Sequence, residues 1–182
     1  MENLKVLKTE KRFAGNVFNL IIDEVEYPSG RRSIREIADH PGGAVVAAFP
    51  DLQTIFLIKQ YRHPMKKILY ELPAGKLDPG EAPEVCAGRE LEEETGYKAS
   101  HLEKLTAIYT SPGFCNEQLH LYLATGLTKT EQGPRLEEGE AGLTVEPTPI
   151  AEAVAMIENN IIVDGKSICA IFLAIRKLGL SV

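Results

Sequence analysis

The hydrophobic and polar residues of the first third of the chain alternate in short segments that predict β-strands. Residues 16–27 and 32–39 flank a Pro-Ser-Gly turn, which predicts a hairpin. Residues 44–49 and 54–61 are more apolar, and we expect them to form a second pair around a Pro-Asp turn. Residues 68–72 predict one further short strand. The chain therefore begins with a strand-rich region.

The pattern changes after residue 81, where helical spacing alternates with strands. Residues 128–142 are polar, acidic and contain glycine, which is typical of a loop. The expected elements are a helix at 82–95, strands at 102–110, 117–124 and 143–146, and helices at 149–158 and 167–178. Strands that surround one helix, with further helices at the end of the chain, indicate the α/β fold class.

The helix expected at 82–95 carries the most distinctive chemistry. Pro83 suits the first turn of a helix, and Gly96 suits the position that follows the last turn. Because residues three and four apart share one face, we expect three carboxylates to converge: Glu90, Glu93 and Glu94. The side expected to pack on the core carries Val85, Gly88 and Leu91.

Close carboxylates repel one another unless a cation neutralises them. Oxygen-only ligands suit hard divalent ions, so the pattern predicts Mg²⁺, with Mn²⁺ as a substitute. A glutamate-rich helix taken alone is usually a solvated surface, so the residues around it decide whether it indicates a metal site. The glycines before and after the helix, together with Glu81 and Arg89, stand at fixed spacings from these carboxylates.

Composition is that of an ordinary globular protein and excludes several classes. A chain of 182 residues suits one domain, and its net charge of −6 disfavours broad binding of nucleic acid. The sequence contains neither an apolar run long enough for a membrane span nor a signal peptide, so we expect no membrane partner. Three scattered cysteines argue against a disulfide framework and favour the cytoplasm.

Residues 75–97 read GKLDPGEAPEVCAGRELEEETGY and fit the pattern G-x5-E-x7-R-E-U-x-E-E-x-G-U, in which U is bulky and apolar or aromatic. This segment resembles the Nudix box. The resemblance implies an α/β/α sandwich with a mixed sheet, and an enzyme that uses a divalent metal to hydrolyse a nucleoside diphosphate linked to another group. It also implies that the carbonyl of Ala74 joins Glu90, Glu93 and Glu94 as a metal ligand. The structural residues of the box are Gly75, Glu81, Arg89 and Gly96, with Arg89 expected to pair with Glu93 and Glu81 to anchor the loop to the helix.

Segments outside the box resemble those of ADP-ribose pyrophosphatases. They are the Ser-Pro-Gly turn at 111–113, with its proline sixteen residues after Gly96, the Glu-Leu-Pro-Ala-Gly entry at 71–75, the Gln-Tyr-Arg strand end at 60–62 and the Arg-Glu pair at 35–36. The resemblance implies hydrolysis of ADP-ribose to AMP and ribose 5-phosphate. GDP-sugar hydrolases share several of these segments, so GDP-mannose or another nucleoside diphosphate sugar is an alternative substrate. A non-catalytic sensor of ADP-ribose-type ligands is disfavoured, since the box is intact.

The expected substrate-binding residues are Arg35, Glu36, Arg62, Pro112 and Gly113. The two arginines suit phosphate because guanidinium binds it bidentately, although each is also a candidate for a surface ion pair. Tyr61, Tyr109 and Phe114 are candidates for stacking on a base, but aromatic residues in strands more commonly pack in the core.

The general base and the assembly are also implied by the resemblance. Related enzymes place a catalytic glutamate on the loop at 135–142, which here carries Glu137, Glu138 and Glu140. We favour Glu140, then Glu138, because they lie closest to the following strand, and Glu93 is the alternative on the helix. The strand-rich segment 1–40 is expected to form a homodimer within a single-domain chain of residues 1–182.

Overall fold

The computed structural model describes residues 4–136 and 138–181, so Glu137 lies outside the described residues. The chain divides into two compact units. The first comprises the chain up to Gly42 together with Tyr109–Gln118, and the second comprises Gly43–Ile108 together with the chain from Leu119 onward. The prediction of one domain over residues 1–182 stays a prediction.

The first unit is built on an antiparallel sheet with the strand order β1-β2-β3. Its strands are β1 (Lys5–Ala14), β2 (Asn19–Glu26) and β3 (Arg32–Asp39). Strands β2 and β3 form the predicted hairpin, in register from Asn19 opposite Asp39 to Glu26 opposite Arg32. Gly30 has a φ of +80° in the turn between them, a conformation that glycine adopts without strain.

The remaining elements are strands and helices in the following order: β4 (Gly43–Ala48), β5 (Thr54–Arg62), β6 (Lys67–Glu71), β7 (Ala74–Lys76), α1 (Pro83–Thr95), β8 (Tyr97–Tyr109), β9 (Gln118–Lys129), β10 (Thr144–Pro149), α2 (Ile150–Glu158) and α3 (Gly165–Leu178). One sheet has the order β7-β4-β9-β8 and another the order β10-β5-β6. Strand β4 is antiparallel to β7 and parallel to β9, so the sheet is mixed, as predicted.

The expected pairing of residues 44–49 with 54–61 is wrong. Strand β4 pairs with β7 and β9, whereas β5 pairs with β6 and β10. All six residues of β4 are buried, as in a strand that is covered on both faces and lies inside a sheet. A turn signal between two segments indicates a change of direction, but it does not require that the flanking strands hydrogen-bond to each other.

The side chains of β4 alternate between the two hydrophobic cores of the second unit. Val45 and Ala47 belong to a core with residues of α3, namely Ala170, Ile171 and Ala174. The intervening residues Ala44, Val46 and Ala48 belong to a core with residues of α1, namely Cys86, Ala87 and Leu91. The sheet therefore lies between helices on its two faces, which is the predicted α/β/α sandwich.

The three predicted helices are confirmed within one or two residues of their expected bounds. Helix α3 begins earlier than predicted because the carboxylate of Asp164 caps it, accepting a hydrogen bond of 3.0 Å from the amide of Ser167. Within the described ranges, no helix has both the length and the apolar character needed to cross a membrane.

Candidate active site

Helix α1 turns two of its carboxylates toward the protein interior. Its buried residues are Cys86, Ala87, Glu90, Leu91, Glu94 and Thr95. Glu90 is 8% exposed and Glu94 is 1% exposed. Val85, which we expected in the core, is 61% exposed, so that expectation is wrong. Leu91, also expected in the core, is fully buried, and it shares the inward side of the helix with Glu90 and Glu94.

Glu94 is held against Ala74, the first residue of β7. Its Oε2 accepts a hydrogen bond of 2.9 Å from the amide of Ala74. Burial raises the pKa of Glu94 to about 8, against the effect of the Ala74 bond, and the charges of Glu90 and Glu140 add to the increase. The site therefore favours a positive charge close to this carboxylate.

Glu90 lies directly against the backbone of Gly75. A Cβ atom on Gly75 would lie 1.8 Å from Oε1 of Glu90, a distance that no side chain can occupy. A side chain at position 75 would therefore force the carboxylate of Glu90 to move, and glycine allows that carboxylate to lie against the backbone. Burial raises the pKa of Glu90 as well, with Arg89 opposing this and Glu93 and Glu140 contributing to it.

Arg89 joins the loop, the helix and the candidate metal ligands. It donates to both carboxylate oxygens of Glu81 at 2.9 Å, to Glu90 at 2.6 Å and to Glu93 at 3.1 Å. The predicted Arg89–Glu93 pair is thus confirmed, but the bidentate pair with Glu81 was not predicted. Hydrogen bonding from Arg89 lowers the pKa of Glu81 to about 2. Glu81 also accepts from the amide of Asp78 at 3.0 Å, so it anchors the loop to the helix as expected.

The oxygen ligands of this site fit a divalent cation whose remaining coordination positions are filled by water and by phosphate oxygens. Within residues 4–136 and 138–181, no three acidic, histidine or cysteine side chains form a metal site by themselves. Glu90 and Glu93 both bind Arg89, and Glu94 binds the Ala74 amide. Mg²⁺ commonly binds one or two carboxylates, with water and phosphate oxygens completing its octahedron. Two buried carboxylates whose pKa is raised by desolvation are chemically suited to that role.

The segment that follows β9 is docked on the C-terminal end of α1. Gly96 has a φ of +74°, and its amide donates to the carbonyl of Glu92 at 2.8 Å. The amide of Arg135 donates to the carbonyl of Glu93 at 2.7 Å, and that of Thr130 donates to Gly96 at 2.8 Å. A Cβ atom at Gly96 would lie 2.9 Å from the backbone of residues 133 and 134. Position 96 therefore requires glycine for its conformation and for this close contact.

The docked segment leads to the glutamates proposed as general base. Glu138–Glu140 forms a short 3₁₀ helix, and the carbonyl of Glu140 accepts from the amide of Leu143 at 2.7 Å. The charge of Glu140 contributes to the raised pKa of both Glu90 and Glu94, so its carboxylate acts on the same site. Glu138 is exposed, whereas Glu140 is partly buried. This arrangement favours Glu140 over Glu138, as the sequence did.

Arg62 forms an ionic network around the buried Glu71, whereas the sequence suggested only a surface ion pair as the alternative to phosphate binding. Its guanidinium donates to the two carboxylate oxygens of Glu71 at 2.7 and 2.6 Å. Glu71 is 1% exposed and also accepts from Lys166, which in turn donates to Asp164 at 2.9 Å. Hydrogen bonding to Glu71 raises the pKa of Arg62. The network fixes the orientation of the Arg62 guanidinium. Glu71, the first residue of the Glu-Leu-Pro-Ala-Gly segment, was the sequence feature that could have predicted this ion pair.

Arg35 and Glu36 lie on β3 of the first unit. Arg35 donates to the hydroxyl of Tyr27, to Oγ of Ser33 at 3.2 Å and to the carbonyl of Ile34 at 3.0 Å. The hydrogen bond from Arg35 is the largest of the interactions that lower the pKa of Tyr27. Glu36 is exposed and lies opposite Ile22 in the register.

Pro112 and Gly113 also belong to the first unit, in a turn that leaves both residues exposed. Tyr109 and Phe114 nearby in the sequence are 59% and 63% exposed, and Tyr61 in the second unit is 55% exposed. Of the two alternatives for these three rings, packing in the core is therefore excluded. Large exposed aromatic rings are available for stacking.

Comparison with known proteins agrees with this geometry. The model of the NUDIX domain family matches residues 39–162. The chain is 46% identical to the methanol dehydrogenase activator of Bacillus methanolicus and 44% identical to the ADP-ribose pyrophosphatase of Bacillus subtilis (strain 168), each over 92% of this chain and 90% of the relative. A crystal structure described as an ADP compounds hydrolase is similar with a TM-score of 0.81 and 23% identity, covering 97% of this chain and 94% of that one.

Proposed function

This chain belongs to the NUDIX family, and from that premise we propose that it hydrolyses the pyrophosphate bond of ADP-ribose to AMP and ribose 5-phosphate. The observation that carries the proposal is the pair of buried carboxylates, Glu90 and Glu94, held against the Ala74–Gly75 backbone by the box helix. The relative from Bacillus subtilis that is named for this activity matches nearly the whole chain, not the box alone.

The proposed cofactor is a divalent cation, Mg²⁺ with Mn²⁺ as a substitute. Its proposed ligands are Glu90, Glu93, Glu94 and the carbonyl of Ala74. A cation bound there would offset phosphate charge and increase the acidity of water. Arg89 keeps Glu90 and Glu93 in place, and such outer residues commonly control the orientation of ligands.

The protein's own groups would bring about the remaining steps. Glu140, or Glu138 in its place, accepts a proton from the attacking water, whose oxygen forms a bond to one phosphorus while the bond to the bridging oxygen breaks. Arg62, with Glu71 behind it, offers a fixed guanidinium to a phosphate. Arg35 is likewise proposed to bind phosphate, and Glu36 to accept hydrogen bonds from the adenine or ribose. Pro112 and Gly113 are proposed to contact the substrate through the Ser-Pro-Gly turn.

In a panel of nucleotides, ADP-ribose is expected to give the highest kcat/KM. The panel contains ADP-ribose, GDP-mannose, NADH, FAD and diadenosine polyphosphates with Mg²⁺, and products are identified by chromatography. A higher kcat/KM for GDP-mannose would assign the chain to the alternative function and make the Ser-Pro-Gly turn a shared structural feature. Ligand binding without any hydrolysis would favour the sensor.

We also propose that the protein is a homodimer formed through its N-terminal strands. The sheet β1-β2-β3 exposes large apolar side chains, including Val6, Phe13 and Ile34, at 54%, 56% and 61% exposure. Such surfaces commonly mark protein contacts. Light scattering is expected to give twice the mass of one chain, and a fully active monomer at micromolar concentration would contradict the proposal.

The proposed location is the cytoplasm, since Cys86, Cys115 and Cys169 are free thiols. The proposed partner is a small nucleoside diphosphate sugar. The acidic net charge of −6 argues against nucleic acid as a partner.

A further inference from the structure

The segment that carries the Ser-Pro-Gly turn is attached to the end of β3 within the first unit. The amide of Ala38 donates to the carbonyl of Phe114 at 2.8 Å, and the amide of Asn116 donates to the carbonyl of Ala38 at 3.2 Å. These bonds form a parallel bridge between Ala38 and Cys115. Strand β3 is at the edge of its sheet, so the segment extends that sheet by a short length.

Two side chains fasten this attachment. Asn116 donates from Nδ2 to Oδ1 of Asp39 at 2.8 Å, and its own Oδ1 accepts from the amide of His40 at 2.8 Å. The other carboxylate oxygen of Asp39 accepts from Nδ2 of Asn19 at 3.2 Å. Every donor in this set faces an acceptor, and only one orientation of the Asn116 amide satisfies both of the bonds that it makes. We call this pair, Asp39 and Asn116, the clamp.

The clamp joins the two elements of the first unit that carry proposed substrate contacts. Asp39 lies on β3 four positions after Arg35, and because side chains alternate along a strand the two share one face. Asn116 lies three positions after Gly113 in the attached segment. A shift of one element relative to the other would therefore change the spacing between the Arg35–Glu36 pair and the Pro112–Gly113 turn.

We propose that Asp39 and Asn116 are positioning residues that set the affinity for the substrate by fixing the Ser-Pro-Gly turn to the strand of Arg35 and Glu36. The proposal rests on the proposed function. The hydrogen bond from Asn116, and then that from Asn19, lower the pKa of Asp39, so the clamp contains an ionised acceptor at neutral pH. Hydrogen bonds to charged groups are among the stronger ones in proteins.

The test is a reciprocal exchange of the two residues. Asn116→Asp places a second carboxylate against Asp39 and removes the donor, and we expect KM to increase roughly tenfold or more while kcat changes by less than about threefold. The double variant Asp39→Asn/Asn116→Asp has the wild-type net charge. In it the amide introduced at position 39 can donate to the carboxylate introduced at position 116 and accept from Asn19, and that carboxylate can still accept from the amide of His40. We expect KM to return to within about threefold of wild type.

Thermal unfolding of each variant shows whether it is folded, and Asn159→Asp is the control for an added negative charge. Asn159 lies at the exposed end of α2 and makes none of the clamp's hydrogen bonds, so its replacement adds the same charge and is expected to leave KM unchanged. An unchanged KM in Asn116→Asp would overturn the proposal. A folded double variant with the same KM as Asn116→Asp would also overturn it, as would a loss confined to kcat.

The substrate for these measurements is the one with the highest kcat/KM in the nucleotide panel. If that substrate is not ADP-ribose, the proposed function fails while the exchange still tests the clamp. If ADP-ribose is hydrolysed with the same KM by every variant, the clamp fails while the proposed function stands. The two failures are therefore distinguishable.

Discussion

Glu94→Gln is expected to lower kcat by roughly a hundredfold or more at saturating Mg²⁺, and Glu90→Gln to behave similarly. Glutamine keeps the size of the side chain, and at position 94 its carbonyl oxygen can still accept from the Ala74 amide. The variants lose a negative charge where a divalent cation is proposed to bind. They also remove the cost of burying that charge, so folding should be preserved.

The measurement is kcat over a range of Mg²⁺ concentrations, together with thermal unfolding of each variant. Glu84→Gln is the matched control, because Glu84 lies exposed in the first turn of the same helix. Turnover near the wild-type value in both Glu90→Gln and Glu94→Gln would refute the proposed metal site.

Gly75→Ala disturbs the same site without changing a charge. The added Cβ would lie 1.8 Å from Oε1 of Glu90, so the carboxylate must move, and a displacement of about 1 Å can lower kcat up to about 10²-fold. Gly88→Ala is the control on α1, since a Cβ there meets open space. Gly88→Ala is expected to retain activity and to increase the free energy of unfolding by about 0.5–1 kcal/mol.

Glu140→Gln is expected to lower kcat by about 10²–10⁴ while metal and substrate affinity stay close to wild type. The reason is the proton that the attacking water must lose, for which Glu140 is the proposed acceptor. Its charge already acts on Glu90 and Glu94. Glu138→Gln is the second variant, and we expect it to have a smaller effect because Glu138 is exposed.

The measurements are kcat, KM and the Mg²⁺ dependence of kcat for each variant, which separate the loss of a base from the loss of substrate or metal binding. Glu131→Gln is the control, since it removes an exposed carboxylate from the same loop. If both Glu140→Gln and Glu138→Gln turn over like wild type, the base lies elsewhere and Glu93 becomes the leading candidate.

The sequence predicted the box helix closely because its signals are local. Pro83 begins α1, and Gly96 ends it in a left-handed conformation. The apolar pattern predicted that Val85 and Leu91 face the core. Leu91 is buried there, but Val85 is exposed, and Glu90 and Glu94 are buried instead. Burying carboxylates is unfavourable without compensation, so hydrophobic periodicity alone could not predict it.

Contacts between distant segments were the part that the sequence could not predict. Strand β4 pairs with β9, more than 70 positions away, and no local pattern specifies that partner. Lys166 is 95 positions from Glu71, and Asn116 is 77 from Asp39. In each case the residue type is ordinary for its position, and only the folded backbone brings the partners together.

The fit of Gly96 beneath residues 133 and 134 limits how this enzyme can be redesigned by exchanging modules. A loop from a relative, grafted between β9 and β10 to alter selectivity, must reproduce the backbone path that passes over Gly96. A graft with bulkier residues at positions 133 and 134 would displace the last turn of the box helix and the glutamates that it carries. The box and this loop are therefore best transferred together, as one cassette.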